Sequence, residues 1–178
     1  MKKSVISTMK TITVIMFVSV ISLVTSCSTD DDTTNGKVTG CTATLTVTPS
    51  EDAQDICETT IEYKGSDGKI RRESIYGGIW MTTVDCGQLP FEGEITITQT
   101  LRPGIKPTQS SYRLGATIKT TFAATFTSGI VDEDAATRVS SNFKTVKKDV
   151  ISRQAQTIIK KYTVTSSASG GSVIVREN

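Results

Sequence analysis

The sequence predicts a mainly β protein: an antiparallel β-sandwich of about eight strands with one helix in its carboxyl-terminal half. Apolar and polar residues alternate through most of the chain after residue 40, which is the pattern of half-buried strands. Turn signals recur at intervals of about 8–12 residues, as they do in sandwiches. The composition agrees, because 30 of the 178 residues are Thr, a β-branched type that favours strands.

The amino-terminal 26 residues form a predicted signal peptide. Three Lys lie among the first ten residues, and an apolar run follows from residue 11 to residue 24. This run is shorter than the roughly 20 residues of a membrane-spanning helix, so we expect it to be removed during export. Residues 27–40 are mainly Ser, Thr, Asp, Asn and Gly, which predicts a flexible tether. Residues 41–178 form the predicted sandwich.

The segment before Cys27 resembles the lipobox of bacterial lipoproteins. Residues 24–27 read Val-Thr-Ser-Cys, so small residues precede a nucleophilic sulfur. The resemblance implies cleavage before Cys27, followed by acylation of its sulfur and of the new amino terminus. Three acyl chains exceed the two signals that stable membrane anchoring requires. An ordinary secretory signal followed by a chance Cys is the alternative.

An acidic run, Ser-Thr-Asp-Asp-Asp, occupies residues 28–32. A run in this place resembles the surface-export signal of Bacteroidetes lipoproteins, and the alternative is a solvated tether kept extended by its charges. Residues 24–32 together resemble the small β-sandwich surface lipoproteins of the Bacteroidetes type, most of which have no assigned function. The resemblance implies a lipid anchor in the outer membrane and a domain exposed at the cell surface. It implies no catalytic residue.

Alternation predicts the strands one by one. The predicted strands are residues 41–48, 56–64, 69–76, 79–86, 94–102, 112–127, 162–165 and 172–176. Residues 65–68 (Gly-Ser-Asp-Gly) favour a hairpin turn between the second and third strands. The third strand is rich in charge, which is typical of a protected sheet edge.

Three segments depart from simple alternation. Residues 112–127 exceed the usual strand length, so we expect a bulge near Gly115 or Thr120. Residues 149–162 change to a helical spacing of apolar residues, and this change predicts the helix. The pattern in residues 135–148 fits a strand but does not decide between a strand and irregular structure.

The cysteines allow two arrangements. If the first four strands run up and down, Cys41 and Cys86 lie at the same end of the sheet, which predicts a Cys41–Cys86 disulfide and a buried Cys57 thiol. Disulfides persist in exported proteins, and three unpaired core thiols are the alternative. The order of Cys57, Trp80 and Cys86 loosely resembles that of immunoglobulin domains. The spacing after Trp80 is too short for that family, so the resemblance implies only an Ig-like architecture.

Composition excludes several classes of function. The chain has no His, which removes Ser-His-Asp and Cys-His catalytic pairs and every imidazole metal site. We therefore predict no enzyme activity, no metal and no cofactor. Without the signal peptide and its three Lys, the chain keeps 17 basic and 18 acidic residues, a net charge of −1. No electrostatic argument for nucleic-acid binding remains.

The sequence leaves two functional hypotheses open. The first is a surface-displayed binding or adhesion module for a glycan or protein ligand, with Tyr76, Trp80 and Tyr112 as rings on which a sugar could stack. The alternative role for Trp80 is to fill the sandwich core, as a strand Trp commonly does. The second hypothesis is a structural accessory subunit of an envelope or fimbrial assembly. It predicts an unpaired strand edge at residues 69–76 or 172–178.

Overall fold

The computed structural model describes residues 36–178, which form nine strands and two short helices. In chain order they are β1 (Val38–Pro49), α1 (Glu51–Ile56), β2 (Cys57–Lys64), β3 (Ile70–Ile75), β4 (Trp80–Gly87), β5 (Phe91–Leu101), β6 (Ser111–Phe126), β7 (Val131–Lys147), α2 (Lys148–Ile151), β8 (Gln156–Ser166) and β9 (Val173–Glu177). Cys27, the predicted signal peptide and most of the tether lie outside the described residues. Within residues 36–178, neither helix is long and apolar enough to cross a membrane.

The strands form two antiparallel sheets, which confirms the predicted mainly β sandwich. One sheet has four strands in the order β4-β1-β6-β7, and the other has five in the order β3-β2-β5-β8-β9. The connection from β3 to β4 passes from the edge of one sheet to the edge of the other. These two edges therefore lie on the same side of the sandwich. The strands β7 and β9 are the remaining edges, and they contact each other on the opposite side.

Alternation along the strands places one side chain in two between the sheets, where the main core forms. In β1 the buried residues are Cys41, Ala43, Leu45 and Val47, as predicted, and Thr residues face outward between them. A second, smaller core cluster lies around α1 and includes Ala53, Cys57, Tyr112, Leu114, Val146 and Ile151. Burial of these apolar faces is the main driving force for the fold.

The helix predicted at residues 149–162 is wrong. Only the four residues of α2 are helical, and β8 begins at Gln156. Ile158 and Tyr162 are both buried and lie four residues apart, a spacing that fits a helix and a strand equally well. Val164, two residues further on, is also buried and shows the period of a strand. Position within the sheet decides the outcome, because β8 pairs with β5 on one side and β9 on the other.

Two other segments differ in detail from the expectations. The strand β7 occupies most of residues 135–148, and its pairing with β6 shifts register between Phe122 and Ala124 rather than at Gly115 or Thr120. Helix α1 was missed, although Ser50 caps it by accepting a hydrogen bond from the backbone of Ala53 at 3.3 Å.

Gly115 is nevertheless a special position in β6. Its φ is +137°, and an added Cβ would lie 2.0 Å from the carbonyl oxygen of Asn142 in β7. The buried Gln99 side chain on β5 donates to the Gly115 carbonyl at 3.0 Å and accepts from the Gly115 N–H at 2.9 Å. Gln99 therefore completes the hydrogen bonding of β6 at the point where β7 passes closest.

Candidate functional site

The connection between β3 and β4, residues 76–79, carries one of the three predicted ligand-stacking residues, Tyr76, and Trp80 follows it as the first residue of β4. The connection joins the edges of both sheets, so it covers one side of the sandwich. The backbone N–H of Gly78 donates to Oε1 of Gln54 in α1 at 3.0 Å, and Nε2 of Gln54 donates to the Pro49 carbonyl at 2.9 Å. Gly77 and Gly78 have φ values of +96° and +77°, which side-chain-bearing residues rarely adopt. The connection is thus held in one conformation against α1.

Trp80 does not present a ring face to solvent, so its predicted stacking role is wrong. Only 5% of Trp80 is exposed, because it lies on the inward face of β4. Its ring packs against Tyr63 with centroids 5.3 Å apart and an interplanar angle of 54°. The alternative core-filling role describes its position.

The Glu73 carboxylate, on the edge strand β3, accepts a hydrogen bond from each of these two side chains. The indole nitrogen of Trp80 donates to Oε2 of Glu73 at 2.7 Å, and the Tyr63 hydroxyl donates to Oε1 at 3.0 Å. Glu73 lies opposite the buried Ile61 in the β2–β3 register, so it is on the same face of the sheet as Ile61, but the residue itself is exposed at this edge strand. One exposed carboxylate therefore accepts hydrogen bonds from both rings at the side of the sandwich where β3 and β4 lie.

Tyr112 is also buried, so it does not form part of a shared ligand site. It is 3% exposed, belongs to the smaller core cluster around α1, and its hydroxyl accepts from the backbone of Gln109 at 2.9 Å. Its position on the inward face of β6 explains the burial. Tyr76, by contrast, is 65% exposed. The three predicted stacking residues do not converge on one sugar-binding surface, and only Tyr76 offers a ring to a ligand.

Two exposed apolar residues that the sequence reasoning did not single out accompany Tyr76. Ile79 is 67% and Met81 68% exposed, and both alternate with the buried Trp80. The sequence shows this alternation. Assigning Trp80 to the core would therefore also have predicted that Ile79 and Met81 are exposed. We call Tyr76, Ile79 and Met81 the corner patch.

The outer face of the four-stranded sheet carries rows of hydroxyls and one partly exposed aromatic ring. Thr83, Thr44, Thr121 and Thr137 lie in one row that crosses all four strands in register. Neighbouring hydroxyls bond to each other across the strands: Thr44 with Thr83 at 3.3 Å, Thr137 with Thr121 at 3.3 Å, and Thr117 with Ser141 at 2.9 Å. The ring is that of Phe143, two residues after Ser141 in β7, and the Arg113 guanidinium lies over it at 4.5 Å from the ring centroid.

The structure brings Cys41 and Cys86 together but leaves Cys41, Cys57 and Cys86 as free thiols. Cys41 lies opposite Gly87 in the β1–β4 register, so the Cys86 thiol is next to it. A hydrogen bond from Cys86 lowers the pKa of the Cys41 thiol, whereas the same contact and burial raise the pKa of Cys86. The predicted disulfide is therefore absent from the structure, yet the two predicted partners are in contact.

Cys57 lies apart from this pair, in the smaller core cluster. Burial raises its pKa to about 11, against a smaller opposing effect of the Arg102 charge. Its thiol is thus protonated at neutral pH and poorly nucleophilic. Among residues 36–178, no group of three His, Cys, Asp or Glu side chains is arranged to hold a metal ion.

Comparisons with protein-family models, with curated proteins and with solved structures give no match for this chain.

Proposed function

We propose that the chain is a lipid-anchored, surface-displayed, non-catalytic binding module, and that the corner patch is its contact with a protein ligand. The exposure of three large apolar side chains, two on the β3–β4 connection and one in β4, is the observation that carries this proposal. Fully burying each of them would contribute about 1.5–3 kcal/mol before the costs of association.

A protein ligand fits the corner patch better than a glycan does. Stacking on a sugar needs an exposed ring, and of the three candidate rings Trp80 and Tyr112 are buried. Aromatic and Met side chains are enriched in protein interfaces, and the corner patch contains one of each beside an aliphatic residue. The hydrogen bonds of Gly78 to Gln54 hold the connection in place, so little conformational entropy is lost on binding.

The proposed anchor rests on the sequence of residues 24–32, which lie outside the described residues. Replacing Cys27 by Ser should abolish incorporation of labelled palmitate and move the protein out of the membrane fraction. Retention of the label, or of the protein in the membrane, would overturn the anchor. The control is Cys57→Ser, which changes a buried thiol and leaves the lipobox intact.

The ligand contact is tested on cells that display the full chain. Changing Tyr76, Ile79 and Met81 together to Ser should abolish binding of the extracellular proteins that cross-link to the unaltered chain, as quantified by mass spectrometry. The matched control changes Ile70, Ile159 and Ile174, which are also exposed but lie elsewhere, to Ser. Equal loss in both variants, or binding to a glycan array that survives only while Tyr76 is present, would contradict a protein ligand at the corner patch.

The second candidate is a structural subunit of an envelope assembly. One observation favours it, because β3 and β9 are both terminal strands of the five-stranded sheet, at the two places where this role predicts an unpaired edge. Under this alternative, envelope proteins should co-purify with the chain in fixed stoichiometry, and corner-patch variants should leave that stoichiometry unchanged.

A further inference from the structure

The most open edge of the sandwich is β7. It is the longest strand, with 17 residues, whereas the other three edge strands β3, β4 and β9 have 6, 8 and 5. One side of β7 pairs with β6 along nearly its whole length, and among residues 36–178 no strand pairs with its other side. A long unpaired edge presents a row of backbone donors and acceptors that can accept another strand.

Charge along β7 is divided between its ends. Asp132, Glu133 and Asp134 lie at the start of the strand, and Lys144, Lys147 and Lys148 lie at its end. All six side chains are exposed. Asp149 reduces the positive charge of the second group but leaves it net basic.

This order of charges distinguishes between the two ways in which β7 can meet another copy of itself. Parallel pairing would place acid beside acid and base beside base, which is unfavourable. Antiparallel pairing about the middle of the strand places the acidic end of each copy beside the basic end of the other. The pairing of β7 with β6 shifts register between Ala136 and Asp132, so β7 bulges at residues 133–135, and the acidic and basic groups face each other as strand ends rather than residue by residue.

The middle of β7 suits the centre of such a contact. Val139 is 62% exposed on the outward face, and β-branched pairs directly opposite each other are favourable in sheets. Two basic residues lie near this centre: Lys119 is directly opposite Val139 in β6, and Arg138 precedes Val139 in β7. The Arg138 guanidinium is directed toward the other sheet, because it donates to the Val175 carbonyl of β9 at 3.1 Å and to the Thr137 carbonyl at 3.0 Å.

We propose that β7 pairs antiparallel with β7 of a second copy of this chain about a two-fold axis at Val139. The contact joins the four-stranded sheets of the two copies into one continuous sheet, and it is self-complementary as a closed dimer requires. The strand β4, which bears Met81, is the opposite edge of the same sheet. The corner patch therefore stays exposed in the dimer, and this proposal stands or falls separately from the proposed ligand contact.

Cysteine cross-linking of the full chain tests the pairing. Directly opposite residues of an antiparallel pair have Cβ atoms about 4.5–5.5 Å apart, close to the separation that a disulfide spans. Val139→Cys should therefore give a homodimer on a non-reducing gel after oxidation with copper–phenanthroline. The matched control is Met81→Cys, which is equally exposed on the other edge of the same sheet and should remain monomeric.

Charge exchange in the Val139→Cys background tests the register. Changing Lys144, Lys147 and Lys148 to Glu should lower dimer yield at least several-fold, because both ends of β7 become acidic. Changing Asp132, Glu133 and Asp134 to Lys should do the same, and mixing the two variants should restore a heterodimer. Equal cross-linking of Val139→Cys and Met81→Cys, indifference to these charges, or an adduct with a different protein would overturn pairing with a second copy.

Discussion

The two sides of the sandwich are closed in different ways. At the β3–β4 side, the exposed Glu73 carboxylate accepts hydrogen bonds from two buried aromatic residues, Trp80 and Tyr63. At the β7–β9 side, the Arg138 guanidinium donates to the Val175 carbonyl of β9, and no strand of residues 36–178 pairs with the outer edge of β7. The two pairs of sheet edges are therefore closed differently, one by packed rings and the other by a single side chain.

The largest effect is expected from Trp80→Ala. Removing a buried aromatic ring that packs against Tyr63 should lower the free energy of unfolding by about 3–5 kcal/mol. The counterpart on the other side, Arg138→Ala, should cost only about 1 kcal/mol, because it removes one exposed and one partly buried hydrogen bond. Urea unfolding followed by far-ultraviolet circular dichroism measures both. Similar losses of unfolding free energy in the two variants would contradict the proposed difference between the two sides.

The second prediction concerns the interior support of β6. Gln99→Leu should lower the free energy of unfolding by about 1–3 kcal/mol, since it leaves the buried Gly115 N–H without its side-chain acceptor, whereas the Gly115 carbonyl still accepts from the Ser50 backbone. Gln156→Leu is the matched control, because Gln156 lies directly opposite Gln99 in β8 but is partly exposed. Hydrogen exchange of β6 and β7 amides should quicken in Gln99→Leu and stay unchanged in the control.

The third prediction isolates the carboxylate. Glu73→Leu should cost about 1–3 kcal/mol, because the Trp80 indole and the Tyr63 hydroxyl lose their acceptor. Glu73→Gln should cost less, since its oxygen can accept from Trp80 while its amide donates to the Tyr63 oxygen. Trp80 is the only Trp in the chain, so its fluorescence reports this side directly. If the fluorescence spectrum and the stability of Glu73→Leu are unchanged, the carboxylate does not stabilise this side of the sandwich.

The smallest effect is expected in the β2–β3 turn. The backbone N–H of Lys69 donates to Asp67 and, with the Arg71 charge, lowers the pKa of that carboxyl below its ordinary value of 3.8. Its stabilisation is therefore complete above the ordinary pKa and is lost as the pH falls through the lowered one. Asp67→Asn should lower the unfolding midpoint slightly at about pH 6 and not at about pH 2. An equal difference at both pH values would contradict this origin.

The sequence predicts the strands well and the contacts between them poorly. Alternation places Leu45 and Ile118 in the core because a strand period of two is a local property. The prediction for the β8 region was wrong because the spacing of Ile158 and Tyr162 fits both a helix and a strand. Pairing with β5 and β9, which is not local information, decides between the two.

The candidate site shows the same division between local and distant information. The exposure of Met81 follows from the burial of Trp80 next to it. The Glu73 contacts depend on how close β3 comes to β4 of the other sheet, and no local pattern encodes that distance. The contact of Cys41 with Cys86 was predicted on the assumption that the first four strands run up and down. The pairing of β1 with β4 brings the two residues together, although β2 and β3 belong to the other sheet.

We propose that the two sides of the sandwich meet different partners. The most direct test places a photo-cross-linking benzophenone side chain at Ile79 or at Val139 of the full chain displayed on cells. The side chain at Ile79 should form adducts with a different protein, and the side chain at Val139 should give a homodimer. The same adducts from both positions, or none from either, would contradict both proposals.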